Sequence, residues 1–257
     1  MSLVDIRREE HVCMITLQRE EKLNALSGAM ERELLDALGG EDVRGSHCIV
    51  ITGAGKAFSA GADINEVAQR TVEGELSTRA QLRRELPRLL ETLRLPSIAA
   101  INGHCLGAGL ELALACTLRI ATRGAKLGLP EINLGVIPGS GGTQRLGRLV
   151  GLGRAMELVT LGEAIDAEEA FRIGLVNRVC EPQALIAEAL AICARWREKG
   201  PVSLMAARDA VLRSPDLDLA AGLDYENKLF ALAIASGERD EGVRAFREKR
   251  KPKFRGD

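Results

Sequence analysis

The order of apolar segments predicts an α/β fold. Strand-like runs alternate with helix-periodic runs through most of the chain, and from Pro182 onward the pattern turns almost entirely helical. Two glycine-rich stretches, Phe58-Ser-Ala-Gly-Ala-Asp-Ile-Asn65 and Asn102-Gly-His-Cys-Leu-Gly-Ala-Gly-Leu-Glu111, each join a strand-like run to a helix-like one. Such junctions leave backbone N–H groups without intrahelical partners, and those groups can bind an anion.

Val4 to Glu9 and His11 to Leu17 read as a strand pair. Ser27 caps a helix that carries Met30, Leu34, Leu35 and Leu38 on one face. Cys48-Ile-Val-Ile-Thr52 has the continuous apolar character of a buried strand. Leu82, Leu86, Leu89, Leu90 and Leu93 mark a helix that Pro96 stops, after which Ser97 to Ile101 resumes as strand. Thr117 to Thr122 and Leu175 to Val179 read as further strands, with Asp166 and Glu169 as a capping box and Gly174 as a helix stop. Beyond Pro182, Pro201 suits a first helical position and Ser214-Pro215 breaks that helix. A long helix then runs through Tyr225 and Phe230 toward Gly237. Residues 68 to 79, rich in Glu, Thr and Gly, are expected to be unstructured and to form a mobile flap.

At 257 residues and 46% hydrophobic, the chain can bury one large core. A net charge of -1 gives no global attraction to nucleic acid or to an acidic membrane surface. No apolar run reaches the length of a membrane span, and the N-terminus lacks the pattern of a secretory signal. The six cysteines form no C-x-x-C pair and sit mostly in apolar runs, which points to a reducing, cytoplasmic setting.

Familiar motifs fail on spacing. Gly53-Ala-Gly55 follows a strand, but Phe58 occupies the third glycine position of a dinucleotide fingerprint. Gly55-Lys56 lacks the frame of a P-loop, and Ala57 replaces the first glycine of a nucleophile elbow. His11, His47 and His104 have no metal-ligand spacing, so no metal is expected. The basic tail from Arg244 to Arg255 reads as a solvated end or as a contact for a ligand's phosphates.

The chemistry concentrates elsewhere. A helix starting near Gly107 aims its free N–H groups, Ala108 among them, at whatever occupies the preceding loop. Glu111 lies three residues further on the same helix edge, and helical side chains lean back toward the N-terminus. Gly61 allows a backbone angle that turns the Ala62 N–H inward. Glu131 follows Pro130 and precedes the glycine-rich run from Gly135 to Gly142, in which Gly139 permits close approach. Read singly, these are a first-turn acid, a tight turn and a loop acid. Together they are paired donors beside paired carboxylates, which suits acid/base chemistry next to an enolate.

These stretches, in this order, resemble those of the crotonase superfamily, and specifically the enoyl-CoA hydratases. Matching segments are Lys22-Leu-Asn-Ala-Leu26, Phe58 to Ile64, Ile101 to Ala115, Gly128 to Leu146 and Ala245 to Arg250, so the resemblance spans nearly the whole chain. It implies a spiral of ββα units over residues 1–195, then a helical C-terminal region at 196–257 that joins a homotrimer, often doubled to a homohexamer. It also assigns the oxyanion-hole N–H groups to Ala62 and Ala108, the catalytic acids to Glu111 and Glu131, and the water-adjacent glycine to Gly139. Coenzyme A is expected along Lys22, Leu23, Ala25, Ala60, Asp63 and Ile64. Lys56, with Lys249 or Lys253 from a neighbouring subunit, is expected at its phosphates. One departure is Ala108, where many members have glycine, and its methyl narrows the space beside the thioester.

The implied reaction adds water to a 2-enoyl-CoA, giving a 3-hydroxyacyl-CoA. Coenzyme A belongs to the substrate, and no metal or redox cofactor is expected. Competing readings are a Δ3,Δ2-enoyl-CoA isomerase and a methylglutaconyl-CoA hydratase of the AU-rich-RNA-binding type, the latter suggested by Leu110 to Cys116 and the Lys249 to Gly256 ending. From another class comes an RNA-binding or non-catalytic protein of this fold, which near-neutral charge disfavours.

Overall fold

The computed structural model describes residues 2–254, apart from the side chains of residues 78–82. Leu82, assigned above to a helix face, and Arg255 and Gly256 of the basic tail therefore lie outside the described side chains. Residues up to 189, apart from 94–96, form one compact unit; 94–96 and the residues from 190 onward form a second.

The first unit opens with β1 (Val4–Glu9) and β2 (Val12–Leu17), an antiparallel pair turned by Glu10 at positive φ, then α1 (Gly28–Leu38) and α2 (Glu41–Arg44). The Ser27 hydroxyl accepts from the Met30 N–H as an N-cap should, and Met30, Leu34 and Leu38 are buried. Next come β3 (Cys48–Gly53), β4 (Ala57–Ser59), α3 (Ile64–Val67), α4 (Val72–Leu76) and α5 (Thr78–Thr92). The following turn of chain supplies β5 (Ser97–Ile101), β6 (His104–Leu106) and α6 (Ala108–Leu114). β7 (Leu118–Thr122), β8 (Lys126–Gly128), α7 (Gly142–Val150) and α8 (Leu152–Leu161) repeat the sequence once more. β9 (Ile165–Asp166), α9 (Ala167–Arg172) and β10 (Arg178–Cys180) close the sheets.

Two sheets record a spiral. One has the order β1-β2-β3-β5-β7-β10 and the other β4-β6-β8-β9. Each turn therefore adds one strand to each sheet: β3, β5 and β7 lie side by side in parallel, and so do β4, β6 and β8. Every residue of β3 and β5 is buried, as expected for parallel strands covered on both faces.

Several expectations change in detail. Residues 68–79 are not structureless: α4 is capped by the Thr71 hydroxyl accepting from the Gly74 N–H, and α5 begins at Thr78. Leu175 and Val176 are not strand residues. Their N–H groups both return to the Ala170 carbonyl after Gly174 at φ 79°, ending α9, so the strand begins only at Arg178.

The second unit takes in most of α10 (Leu185–Arg197), then α11 (Pro201–Arg213), α12 (Leu219–Ala235) and α13 (Glu238–Arg247). The buried Glu238 carboxylate accepts from the Val202 and Ser203 N–H groups at 2.8 and 2.9 Å and so caps α11.

Arg119 on β7 is 5% exposed and lies against the end of α6. Its guanidinium donates to the carbonyls of Cys116 (2.8 Å), Ala113 (3.4 Å) and Leu175 (2.8 Å), joining the helix end to the turn after α9. Arg119→Leu removes these bonds in an apolar setting and is expected to cost about 3 kcal/mol. Urea unfolding checks this, and a parental midpoint with a parental slope refutes it.

Candidate active site

Strand β4 delivers Ala60, Gly61 and Ala62 to the site. In the parallel bridge between Leu26 and Ala62, the Leu26 N–H donates to the Gly61 carbonyl and the Asp63 N–H donates to the Leu26 carbonyl. That pattern uses the groups flanking Ala62 and turns its own N–H to the opposite side. Gly61, at φ 108°, makes the bend, and a Cβ there would stand 3.7 Å from the Ala108 nitrogen. The two glycine-rich stretches therefore meet.

Gly107 holds φ 51° and ψ -128°, a combination open only to glycine, and with it starts α6. Ala108 becomes the first helical residue, whose N–H has no carbonyl one turn back. Among the described residues no hydrogen bond engages the N–H of Ala62 or of Ala108. Unpaired amides on two neighbouring segments, one at the start of a helix, are donors that can receive a developing oxyanion.

Two carboxyl groups come from elements that adjoin these amides. Glu111, in the first turn of α6, is 2% exposed. Its Oε1 accepts from the N–H groups of Ser140 and Gly142, each at 2.7 Å, in the turn that begins α7. Glu131 stands in a short 3-10 turn, Pro130–Leu134, and a Cβ on Gly107 would lie 3.0 Å from its Oε1. Its Oε2 is buried without a hydrogen-bond partner among the described residues. Burial raises both acids, but the surroundings differ. For Glu111 the two amides, Arg83 and Arg145 oppose the rise. Glu131 is pushed up to about 7 by burial, opposed by its own backbone N–H, with the charge of Glu111 adding to the rise. The two acids titrate as a pair, and the amides around Glu111 favour its ionised form.

Gly139 adjoins Ser140 and is exposed, with the Arg83 Nη2 3.4 Å from where its Cβ would be. Arg83 was not singled out by sequence. From α5 it grips Glu75 of α4 through two bonds, at 3.1 and 2.6 Å, and so ties the segment expected to be a loose flap to α5. Nearby Glu31 is a third acid raised to about 7 by burial, with Arg83 and Arg70 opposing.

The residues expected along coenzyme A also converge. The Ala60 N–H donates to the Leu23 carbonyl at 2.9 Å, laying 22–25 against 60–64. Leu23 and Asn24 both take positive φ, and the buried Asn24 amide donates to the Ala54 and Ala57 carbonyls, fixing that edge. Lys22, Lys56 and Ile64 are exposed there, and Ala25 and Ala60 are half-buried. The Asp63 carboxylate is held below its ordinary range by Arg19, 2.7 Å away, and by the Asn65 N–H. That side chain is committed to capping α3, so any ligand contact there falls to its backbone. Lys249 and Lys253 belong to the second unit, where the Lys253 N–H donates to Glu241.

With this geometry in view, comparison with known proteins is decisive: the profile of the enoyl-CoA hydratase/isomerase family matches residues 7–257. The chain belongs to that family. It is 41% identical to the 2,3-dehydroadipyl-CoA hydratase of Escherichia coli, with 100% of both chains covered. To the short-chain-enoyl-CoA hydratase of Clostridium acetobutylicum it is 40% identical, covering 96% of this chain and 95% of that one. The crystal structure of an enoyl-CoA hydratase from Bacillus anthracis superposes with a TM-score of 0.91 at 39% identity, over 100% of both chains. The spiral of ββα turns described above is thus the crotonase fold of this family.

The Glu131 environment gives a pH test. Its carboxyl moves from 4.5 to about 7 on folding, so between those values the unfolded chain ionises first and stability falls as pH rises, levelling off above 7. Glu131→Gln removes that loss. After allowance for solvent screening of this half-buried group, the variant is expected to gain about 1–2 kcal/mol over the parent between pH 4.5 and pH 8. Denaturant unfolding at the two pH values measures it, and an identical pH response in both proteins refutes it.

Proposed function

We propose that this chain is an enoyl-CoA hydratase, a hydro-lyase that adds water across the 2,3 double bond of a 2-enoyl-CoA to give a 3-hydroxyacyl-CoA. The observation that carries the reading is the difference between the two acids beside the paired amides. Glu111 has donors that favour its ionised form, whereas Glu131 has a buried oxygen with none. Hydration needs a base and an acid at once, and the two environments supply them.

In this mechanism the thioester oxygen accepts from the Ala62 and Ala108 N–H groups, which favour the negative charge that develops on it. Glu111 removes a proton from water as the oxygen bonds to C3, and the C2=C3 electrons move into the enolate. Glu131 then delivers its proton to C2, and the thioester carbonyl re-forms. Gly139, bare of side chain beside Ser140, leaves room for the water. The steps move protons only, so they call for no metal or redox carrier.

The full-length likeness to relatives named as short-chain-enoyl-CoA and 2,3-dehydroadipyl-CoA hydratases supports a substrate with a short acyl group and a place in β-oxidation-type chemistry. The Ala108 methyl favours the same choice by narrowing the thioester end. The coenzyme A moiety is assigned to Lys22, Leu23, Ala25, Ala60, Asp63 and Ile64, with Lys56, Lys249 and Lys253 at its phosphates. We also propose a homotrimer or homohexamer. In its support, α12 buries none of its residues within the chain and exposes Leu219, Leu223 and Phe230. Six free cysteines support a cytoplasmic setting.

Loss of enoyl-thioester absorbance with crotonyl-CoA, with 3-hydroxybutyryl-CoA identified as the product, tests the activity. Glu111→Gln and Glu131→Gln should each lower kcat roughly 10²-fold or more with the fold retained. Near-parental turnover by Glu131→Gln rules it out as the proton donor. Ala108→Pro removes the donor at a helix position that tolerates proline, and should cost about 3 kcal/mol of transition-state stabilisation in a variant shown to be folded. Light scattering at micromolar concentration should report a trimer or hexamer, and an active, well-folded monomer refutes the assembly.

A further inference from the structure

We infer that Arg145 and Glu91 are a positioning pair for Glu111, fixing the two N–H groups that hold its carboxylate. The inference takes its kinetic readout, though not its geometry, from the hydratase reading. Glu111 Oε1 is bound by the Ser140 and Gly142 amides, which belong to the peptide units on either side of the Ser140–Gly141 peptide. The carbonyl of that central peptide accepts from Arg145 Nη1 at 3.1 Å. The rest of the guanidinium is occupied by Glu91, with Nε and Nη2 donating to its two carboxylate oxygens at 3.1 and 3.0 Å. A planar fork held on two sides has little freedom to rotate.

The turn needs such an anchor. Its sequence is Gly139-Ser-Gly-Gly142, with Gly141 at φ 105°, and glycine backbones have the widest choice of conformations. A Cβ on Gly141 would lie 2.0 Å from Arg145 Nη1, so a side chain there would displace the guanidinium as well as strain the backbone at φ 105°. The guanidinium therefore lies against bare backbone. Rotation of the central peptide would swing both flanking amides, and hence the base. Glu91 sits on α5, which also brings Arg83 close to Gly139, so the helix that holds Arg145 runs alongside the turn. Side-chain exposures of 19% for Arg145 and 31% for Glu91 shelter the pair from solvent.

A charge effect and a positioning effect on Glu111 have opposite signs at Glu91. Removing the Glu91 charge leaves Arg145 uncompensated, which by Coulomb interaction alone makes Glu111 easier to ionise. Loosening the two N–H bonds makes it harder. The test is a carboxyl ¹³C NMR titration of Glu111 in the Glu131→Gln background, assigned by loss of the signal in Glu111→Gln, alongside steady-state hydration of crotonyl-CoA in the Glu131-containing proteins. For Glu91→Ala and Arg145→Met we expect the Glu111 midpoint to move up. Their kcat should fall roughly 10- to 100-fold, as small misplacements of a reacting group cause, with KM within about threefold. Arg145→Lys keeps the charge without the fork, and should fall between parent and Arg145→Met in both readouts. If Arg145→Met does not fold, Glu91→Ala and Arg145→Lys carry the test. A downward or unmoved Glu111 midpoint in folded Glu91→Ala overturns the inference, whatever happens to kcat. A parent that leaves crotonyl-CoA unchanged defeats the substrate reading instead, and the titration still decides the positioning.

Discussion

A carboxylate nearly shut off from water must find its hydrogen bonds in the protein, and the arrangement around Glu111 follows from that requirement. Removing an ion from water without replacement donors costs several kcal/mol, which ordinarily neutralises the group. Here the N–H groups of Ser140 and Gly142 replace water on one oxygen, at 2.7 Å each. Both come from the glycine turn before α7, so α7 has to start within reach of the first turn of α6. A Cβ on Gly142 would stand 3.1 Å from the same oxygen, which reserves that position for a small residue. The spiral sheets satisfy the requirement because each turn of chain returns its strand-to-helix junction to the same side.

That spiral was partly legible in the sequence. The long buried strands, β3 and β5, and the capped helix α1 announce themselves by continuous apolarity and by Ser27. The second sheet does not. Its strands β4, β6 and β8 are three residues each, too short for any periodicity to register, and two of them lie inside the glycine-rich stretches that read as loops. The ββα repeat therefore came from resemblance and could not be derived from pattern. Polar composition also misled at 68–79. The helix α4 owes its existence to a Thr71 cap and to the grip of Arg83 on Glu75, a tertiary contact that composition does not carry.

Within the site, the same boundary separates side chains from backbone. Glycine next to a strand end and an acid one turn into a helix are visible one by one, and they led to Ala62, Ala108, Glu111 and Glu131. The amides that hold Glu111 were not visible, because a backbone donor has no residue type. Only the density of glycine from 135 to 142 hinted at them. Arg83, Glu91 and Arg145 were missed for a different reason. Glu91 and Arg145 meet across 54 positions of sequence, and nothing local distinguishes them from the ion pairs common on helix surfaces.

The two acids also show how one residue type comes to fill two roles. Burial raises both, so desolvation alone would make them alike. What separates them is where donors were available. Glu111 points at a helix start, whose two amides and dipole favour negative charge, whereas Glu131 has only its own backbone N–H and keeps its Oε2 buried without a partner among the described residues. In the proposed mechanism Glu131 carries the proton before water attacks and gives it to C2, while Glu111 takes a different proton from the water, so that once hydration is complete Glu111 is the protonated acid. Dehydration of the product begins from that second arrangement and reverses each transfer. The pair thus carries one proton in either arrangement, on Glu131 for hydration and on Glu111 for dehydration, and the amides of the glycine turn favour the ionised Glu111 that hydration needs. Keeping that turn fixed is as much a part of the chemistry as the acids themselves, which is why the grip of α5 on it reaches the reacting atoms without touching them.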